Sequence, residues 1–249
     1  MIKLSSAYRV LIPKVYRTTI NVICVLQMLF HIALVLAMTE EEFVKALSGE
    51  DVLHIINKPL VTAELIAEAV MLIVLFFMDY FVFVGISARH SGSMSAVRSS
   101  LYGTELIEKG LTGDFIANSI RCFLVGPVIS VVSAIILQGK ESIFTIFISF
   151  MVWGLTMIAL GIGNILARRF SKTVISMLLF TYAVGAIFGV FAAAVMVGSI
   201  GVNMGILPPW FAVIGAIIAI VVACVVFICG KKDAIKGYRS GFEDMVGGK

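Results

Sequence analysis

Charge is scarce in this sequence. Lysine and arginine number 19 and aspartate and glutamate 15, only 14% of 249 residues. A water-soluble domain needs roughly a quarter charged residues to cover its surface, so water is not the main solvent here. Histidine is also rare. His31, His54 and His90 fall in different regions, and no H-E-x-x-H occurs, so the zinc-hydrolase helix is excluded. The four cysteines, Cys24, Cys122, Cys224 and Cys229, lie in apolar segments without a C-x-x-C pair. They read as small membrane hydrophobes rather than a zinc or redox site. A phosphate-binding G-x-x-x-x-G-K-[ST] is missing too. Gly139-Lys140 is followed by Glu141, and Ala134 stands where the first glycine belongs. Ser91-Gly92-Ser93 has no histidine–carboxylate pair beside it. No catalytic constellation assembles, so the chain reads as a non-enzyme. A net charge of +4 is small for a nucleic-acid binder, and no nucleic-acid partner is expected.

Apolar residues are what the sequence has in abundance. They make up 60% of it, and the mean hydropathy is +1.08. A span needs about 20 apolar residues at 1.5 Å rise each. Six stretches qualify: Thr18–Met38, Ala63–Ser87, Phe115–Leu137, Ile143–Ala167, Val174–Gly198 and Pro209–Cys229. The first is too long for a signal-peptide core and has no A-x-A after it. The stretches lack the alternation of barrel strands, and lipid forbids unpaired backbone groups, so they read as helices. The expectation is an all-α membrane protein forming one transmembrane domain over residues 1–249. It has six transmembrane helices, an interfacial helix over 1–17, a cytoplasmic loop over 88–114 and a cytoplasmic tail over 230–249.

Orientation follows from basic residues. The N-terminal tail carries Lys3, Arg9, Lys14 and Arg17. The loop after the second span carries Arg89 and Arg98, and the one after the fourth Arg168, Arg169 and Lys172. The C-terminal tail carries Lys231, Lys232, Lys236, Arg239 and Lys249. The other connections are acidic or nearly uncharged. Both termini are therefore expected in the cytoplasm, with the chain in the plasma membrane.

Three connecting elements have helical patterns. Leu4, Tyr8, Leu11 and Val15 share one face of an interfacial N-terminal helix, interrupted by Pro13. Glu40–Leu47 predicts a short external helix ended by Gly49. Residues 88–114 predict a helix from Ser93 to Leu101, a break at Gly103, and a second helix from Glu105 to Lys109 capped by Thr104. Small residues recur every four positions at Gly185, Gly189 and Ala193, and at Ala159, Gly163 and Ala167. That spacing lets helices approach closely, within the chain or between two copies. Ionisable residues inside lipid cost about 2.5–3.5 kcal/mol, so they pair or face a cavity. Asp79 and Arg121, at matching depths, are expected to form an ion pair. His31 faces either a cavity or a single hydrogen-bond partner. Glu64 and Glu68 lie near the outer end of the second span and are expected to reach the headgroups.

The stretch Arg89-His90-Ser91-Gly92-Ser93-Met94, with Leu101, Thr104-Glu105-Leu106-Ile107 and Lys109-Gly110, resembles the loop between spans two and three of ABC exporter permeases. The layout and length of the whole chain agree with it. In that family the loop is a coupling helix that docks on a separate ATPase subunit. The resemblance implies a docking surface of Ser93, Met94, Val97, Arg98, Leu101 and Glu105, and a dimer of permeases packed at Gly185, Gly189 and Ala193. ATP and Mg are then expected on the partner ATPase subunit, and no cofactor on this chain. Short permeases of this kind resemble those that export hydrophobic or amphipathic peptides, including bacteriocin-immunity systems. The alternative is an ion-coupled secondary transporter or channel using Asp79, Arg121 and His31.

Overall fold

The computed structural model describes residues 2–37, 67–68, 70–79, 97, 100–136, 143–169, 174–175, 177–187, 189 and 211–246. All regular structure among them is helical. We number the helices α1 (Leu4–Leu11), α2 (Lys14–Ala37), α3 (Val70–Asp79), α4 (Gly103–Phe123), α5 (Ile129–Ile136), α6 (Ile143–Arg169), α7 (Met177–Ile187) and α8 (Phe211–Val246). A π-helical turn, Leu124–Val128, joins α4 to α5 without a break. Pro127 explains it: proline lacks an N–H and clashes with the carbonyl four residues back, and a wider turn absorbs both.

Four helices are long and apolar enough to cross a membrane: α2, the joined α4–α5, α6 and α8. They coincide with the first, third, fourth and sixth expected spans. Within the second and fifth, the shorter apolar helices α3 and α7 are described. Large apolar side chains stand exposed along α2 (Val22, Val25, Leu26, Leu29, Phe30) and α8 (Ile214, Ile217, Ile218, Val221, Val225). Contiguous apolar surface on this scale is compatible with a membrane location.

The core forms where helices can approach closely. Gly154 meets Ala219, Gly161 meets Val226 and Gly215 meets Met151. The paired numbers rise together, so α6 and α8 run parallel. Against α4 the pairing is reversed. The Trp153 indole donates to the Ser119 carbonyl at 3.0 Å, and Phe123 contacts Phe150. Phe115 stacks on Phe227 while Lys231 reaches Glu108. Both α6 and α8 are therefore antiparallel to α4. Gly163 has no room for a Cβ because Phe180 and Phe76 close over it, those two rings stacked 3.7 Å apart. The Ala159–Gly163 part of the α6 ladder thus packs within the chain. Gly185 and Gly189 differ: no described atom lies within 4 Å of a Cβ built on either. Ala193 lies outside the described residues.

Several boundaries differ from the sequence expectation. Gly103 is not a break but the first residue of a 21-residue helix. The expected Glu105–Lys109 helix is its opening turns, and Thr104 makes no cap. Tyr102 holds the cap position without a side-chain bond. Once Gly103 starts the helix, backbone bonding simply continues into the apolar run, so nothing ends it at Lys109. The tail expected over 230–249 is, as far as Val246, a helical extension of α8. At the N-terminus the helix turns at Ile12–Pro13. Ala7 and Leu11 are buried, whereas Leu4 and Val15 are exposed. Val15 belongs to α2, whose axis is redirected by the proline, so it cannot share the face of Leu11. The expected Glu40–Leu47 helix lies outside the described residues.

Candidate functional site

Asp114, Asn118 and Arg121 follow one another at i, i+4 and i+7 on α4, a spacing that puts them on one helical face. All three are buried. The Arg121 guanidinium is held on three sides. Its Nη1 donates to Asn118 Oδ1 at 2.6 Å, its Nε to Asn21 Oδ1 of α2 at 2.9 Å, and its Nη2 to the Tyr8 hydroxyl of α1 at 3.0 Å. The fixed fork of arginine is what allows three acceptors on three helices to be satisfied together. Burial raises the Tyr8 phenol above its usual value, against the lowering effect of Arg121.

Asp79 at the end of α3 meets this group through amides. Its Oδ2 accepts from Asn118 Nδ2 at 3.3 Å and from Asn164 Nδ2 of α6 at 3.4 Å, and Asn118 Nδ2 also lies 3.3 Å from Asp114 Oδ1. The expected ion pair is therefore bridged rather than direct. Asn118 takes the arginine on its oxygen and the carboxylates on its nitrogen, and among the described residues Asp79 and Arg121 share no contact of their own. The physical reason is position: Asn118, one turn before Arg121, sits between the two charges and can serve both.

A cavity of about 40 Å³ opens beside these groups, room for roughly three waters at 10–15 Å³ each. Asp79, Asp114, Asn118 and Asn164 give it a polar wall. Leu111, Phe115, Met157, Leu160, Val226 and Phe227 give it an apolar one, and Gly230 and Lys231 line it towards the end where both termini lie. A cavity of this size is too small for a drug-sized ligand.

That end is closed by the N-terminal segment. Leu11, Ile12, Ile107, Leu111, Ala234 and Tyr238 form one apolar cluster. Gly110 and Gly113 let α1 lie directly on α4: a Cβ at either would come within 2.8 Å of Leu11 or Tyr8. Ile2 closes the contact, its N–H donating to Glu105 Oε1 at 3.2 Å while its carbonyl accepts from Lys109 Nζ at 2.7 Å. Glu105, expected at a partner surface, is thus engaged by Lys109 and by the N-terminus of its own chain.

Beside this cluster the residues before α4 make a turn. The Tyr238 hydroxyl donates to the Val97 carbonyl at 3.1 Å, and Ser100 bonds the same carbonyl. Gly103 packs against Val97 and Tyr238 so tightly that a Cβ there would fall on both. With its flanks held, the turn projects Leu101, 99% exposed, and Tyr102, 60% exposed. Of the other residues expected to dock, Val97 is helical, and Ser93, Met94 and Arg98 lie outside the described residues.

His31 is buried on α2, ten residues beyond Asn21 and so about 15 Å along the helix from the arginine site. It does not line the cavity. Glu68 overturns its expectation of reaching the headgroups. It is 0% exposed. The reason is that α3 packs inward against α2 and α4, with Gln27 bonding the Ala67 carbonyl at 3.2 Å. Sequence reasoning missed Asp114, Asn118, Asn164, Asn21 and Tyr8. The D-x-x-x-N-x-x-R spacing was a usable signal for the first two. The lone asparagines in apolar spans would have been found had neutral amides been weighed with formal charges. No protein-family model, curated protein or solved structure matches this chain.

Proposed function

We propose that this chain is the membrane-domain subunit of an ABC exporter, working as a dimer of permeases with two separate ATPase subunits. The observation that carries the reading is the Leu101–Tyr102 turn. A leucine and a tyrosine stand in the open at the end of the bundle that holds both termini, on a turn pinned by Tyr238 and Gly103. An exposed apolar pair on a braced turn suits a docking contact, because apolar and aromatic side chains anchor protein interfaces. The turn continues directly into α4, and α4 carries Arg121 and the cavity wall. A push on Leu101 therefore has a stiff path into the membrane.

Six spans fit the helix directions. The parallel pair α6 and α8 is consistent with a return crossing between them by the fifth expected span, which contains α7. In this reading the docking end is cytoplasmic, as the basic loops suggest, and the membrane is the plasma membrane. The small-residue face at Gly185 of α7 and Gly189 beyond it meets the second copy. The cargo class is hydrophobic or amphipathic peptides, exported from the cell.

The test is copurification and coupling. Affinity-purified protein should retain an ATPase with a nucleotide-binding loop. Leu101→Asp should release that ATPase, or separate its hydrolysis from transport, while the permease stays in the membrane. A protein that transports alone, with no ATPase retained, would instead identify a self-sufficient carrier.

A further inference from the structure

We infer that the cavity is a binding site for one monovalent cation, a proton or a sodium ion, held between Asp79 and Asp114. The inference is independent of the ATPase partner, since every residue in it belongs to this chain. Three observations carry it. First, the two carboxylates come from different helices yet line the same cavity, 2% and 4% exposed respectively. Second, each has an oxygen that no described residue reaches as a donor. Asp79 Oδ2 and Asp114 Oδ1 take the amide bonds from Asn118 and Asn164. Among the described residues, Asp79 Oδ1 and Asp114 Oδ2 accept nothing, although both side chains border the open space. Third, the Arg121 guanidinium is turned away. Arg121 uses its three bonds on Asn118, Asn21 and Tyr8 and none on a carboxylate.

Charge decides the valence. Two carboxylates and one guanidinium leave a single negative charge in a poorly hydrated region, and an isolated buried charge is strongly unfavourable. One monovalent cation restores neutrality, whereas a divalent ion would overshoot it. Room for roughly three waters is enough for a small ion or for a short water chain to Lys231.

The charged and titratable groups facing the site come from each helix around it. They are Asp79 on α3, Asp114 and Arg121 on α4, Lys231 on α8 at the mouth, and Tyr8 on α1 behind Arg121. Lys231 is held at 3.4 Å from Glu108 and over the Phe227 ring. It is therefore placed to regulate entry electrostatically rather than to neutralise the carboxylates.

The test uses the full-length protein in detergent, with choline replacing sodium at constant ionic strength. A sodium occupant should give a saturable rise in melting temperature with NaCl that Asp79→Asn and Asp114→Asn each abolish. A proton occupant should give no sodium effect. It should instead show the infrared carbonyl stretch of a protonated buried carboxyl, shifted by deuterium exchange and diminished in the Asp79→Asn/Asp114→Asn variant. The wild-type measurements need no variant to fold. Wild-type protein showing neither a sodium-dependent shift nor a protonated carboxyl band would overturn the site. So would a sodium effect that survives, or a band that is undiminished, in folded Asp79→Asn/Asp114→Asn protein, where Glu68 remains as a buried carboxyl.

Discussion

Replacing Arg121 by lysine keeps the charge and removes the geometry. Arg121 joins α1, α2 and its own helix through bonds of 3.0, 2.9 and 2.6 Å that leave the guanidinium in different directions. A lysine ammonium is compact and carried on a flexible stem, so it can keep about one of the three. A hydrogen bond to a charged group contributes about 1.5–3 kcal/mol. Two lost bonds would cost about 3–6 kcal/mol if both were fully buried, but Asn21 is exposed and Tyr8 half-buried. Water replaces part of each, which brings the expected cost of Arg121→Lys to about 2–4 kcal/mol. Arg121→Gln should cost at least as much, because it also removes the charge that offsets two buried carboxylates. The assay is thermal unfolding in detergent followed by size-exclusion fluorescence, with folded yield as a second readout. The bridge adds a sharper test. Asp79→Asn and Arg121→Gln should be coupled in the wild-type background and less coupled in the Asn118→Ala background, since Asn118 carries the hydrogen-bonded connection and only the through-space attraction remains without it. Arg121→Lys melting like the wild type, or coupling undiminished without Asn118, would refute the arrangement.

Four further outcomes are expected. Gly110→Leu and Gly113→Leu should detach α1 from α4, because the added side chain meets Leu11 or Tyr8 at contact distance, and protease sensitivity at the N-terminus reads it. Above the ordinary tyrosine range, ionisation of Tyr8 should loosen the same contact. Its burial-raised phenol contributes stability that is complete below pH about 10 and lost as pH climbs through the folded value, and an ultraviolet pH titration of wild type against Tyr8→Phe checks this. Gly185→Leu should weaken a symmetric dimer without unfolding the chain, since no described atom lies within 4 Å of the added Cβ; an unchanged oligomer on light scattering would remove α7 from the interface. Cysteines placed at Ser48 and Gly201 should react with impermeant thiol reagents outside intact cells and one at Ser93 should not, and labelling at Ser93 would reverse the orientation.

Composition and periodicity alone determined the helical class and the positions of the four helices long and apolar enough to cross a membrane. Sparse charge and 20-residue apolar runs admit few other solutions, because unpaired backbone is forbidden in lipid. Helix boundaries beyond the apolar runs were less legible. Gly103 looks like a break and Cys229 like a stopping point in one dimension, yet α4 starts at Gly103 and runs on past Lys109, and α8 runs on past Cys229, stabilised by α1 and by Tyr238. The site was half visible: Asp79 and Arg121 stand out as charges, and their similar depth follows from counting residues. Only the tertiary structure decided that Asn118 stands between them, that Asp114 shares their cavity and that Tyr8 and Asn21 hold the guanidinium. It also decided that Glu68 turns inward. These are matters of which helix faces which. Rotation about a helix axis is set by close packing at Gly110, Gly154 and Gly163, and hydropathy in a uniformly apolar span carries almost no information about it.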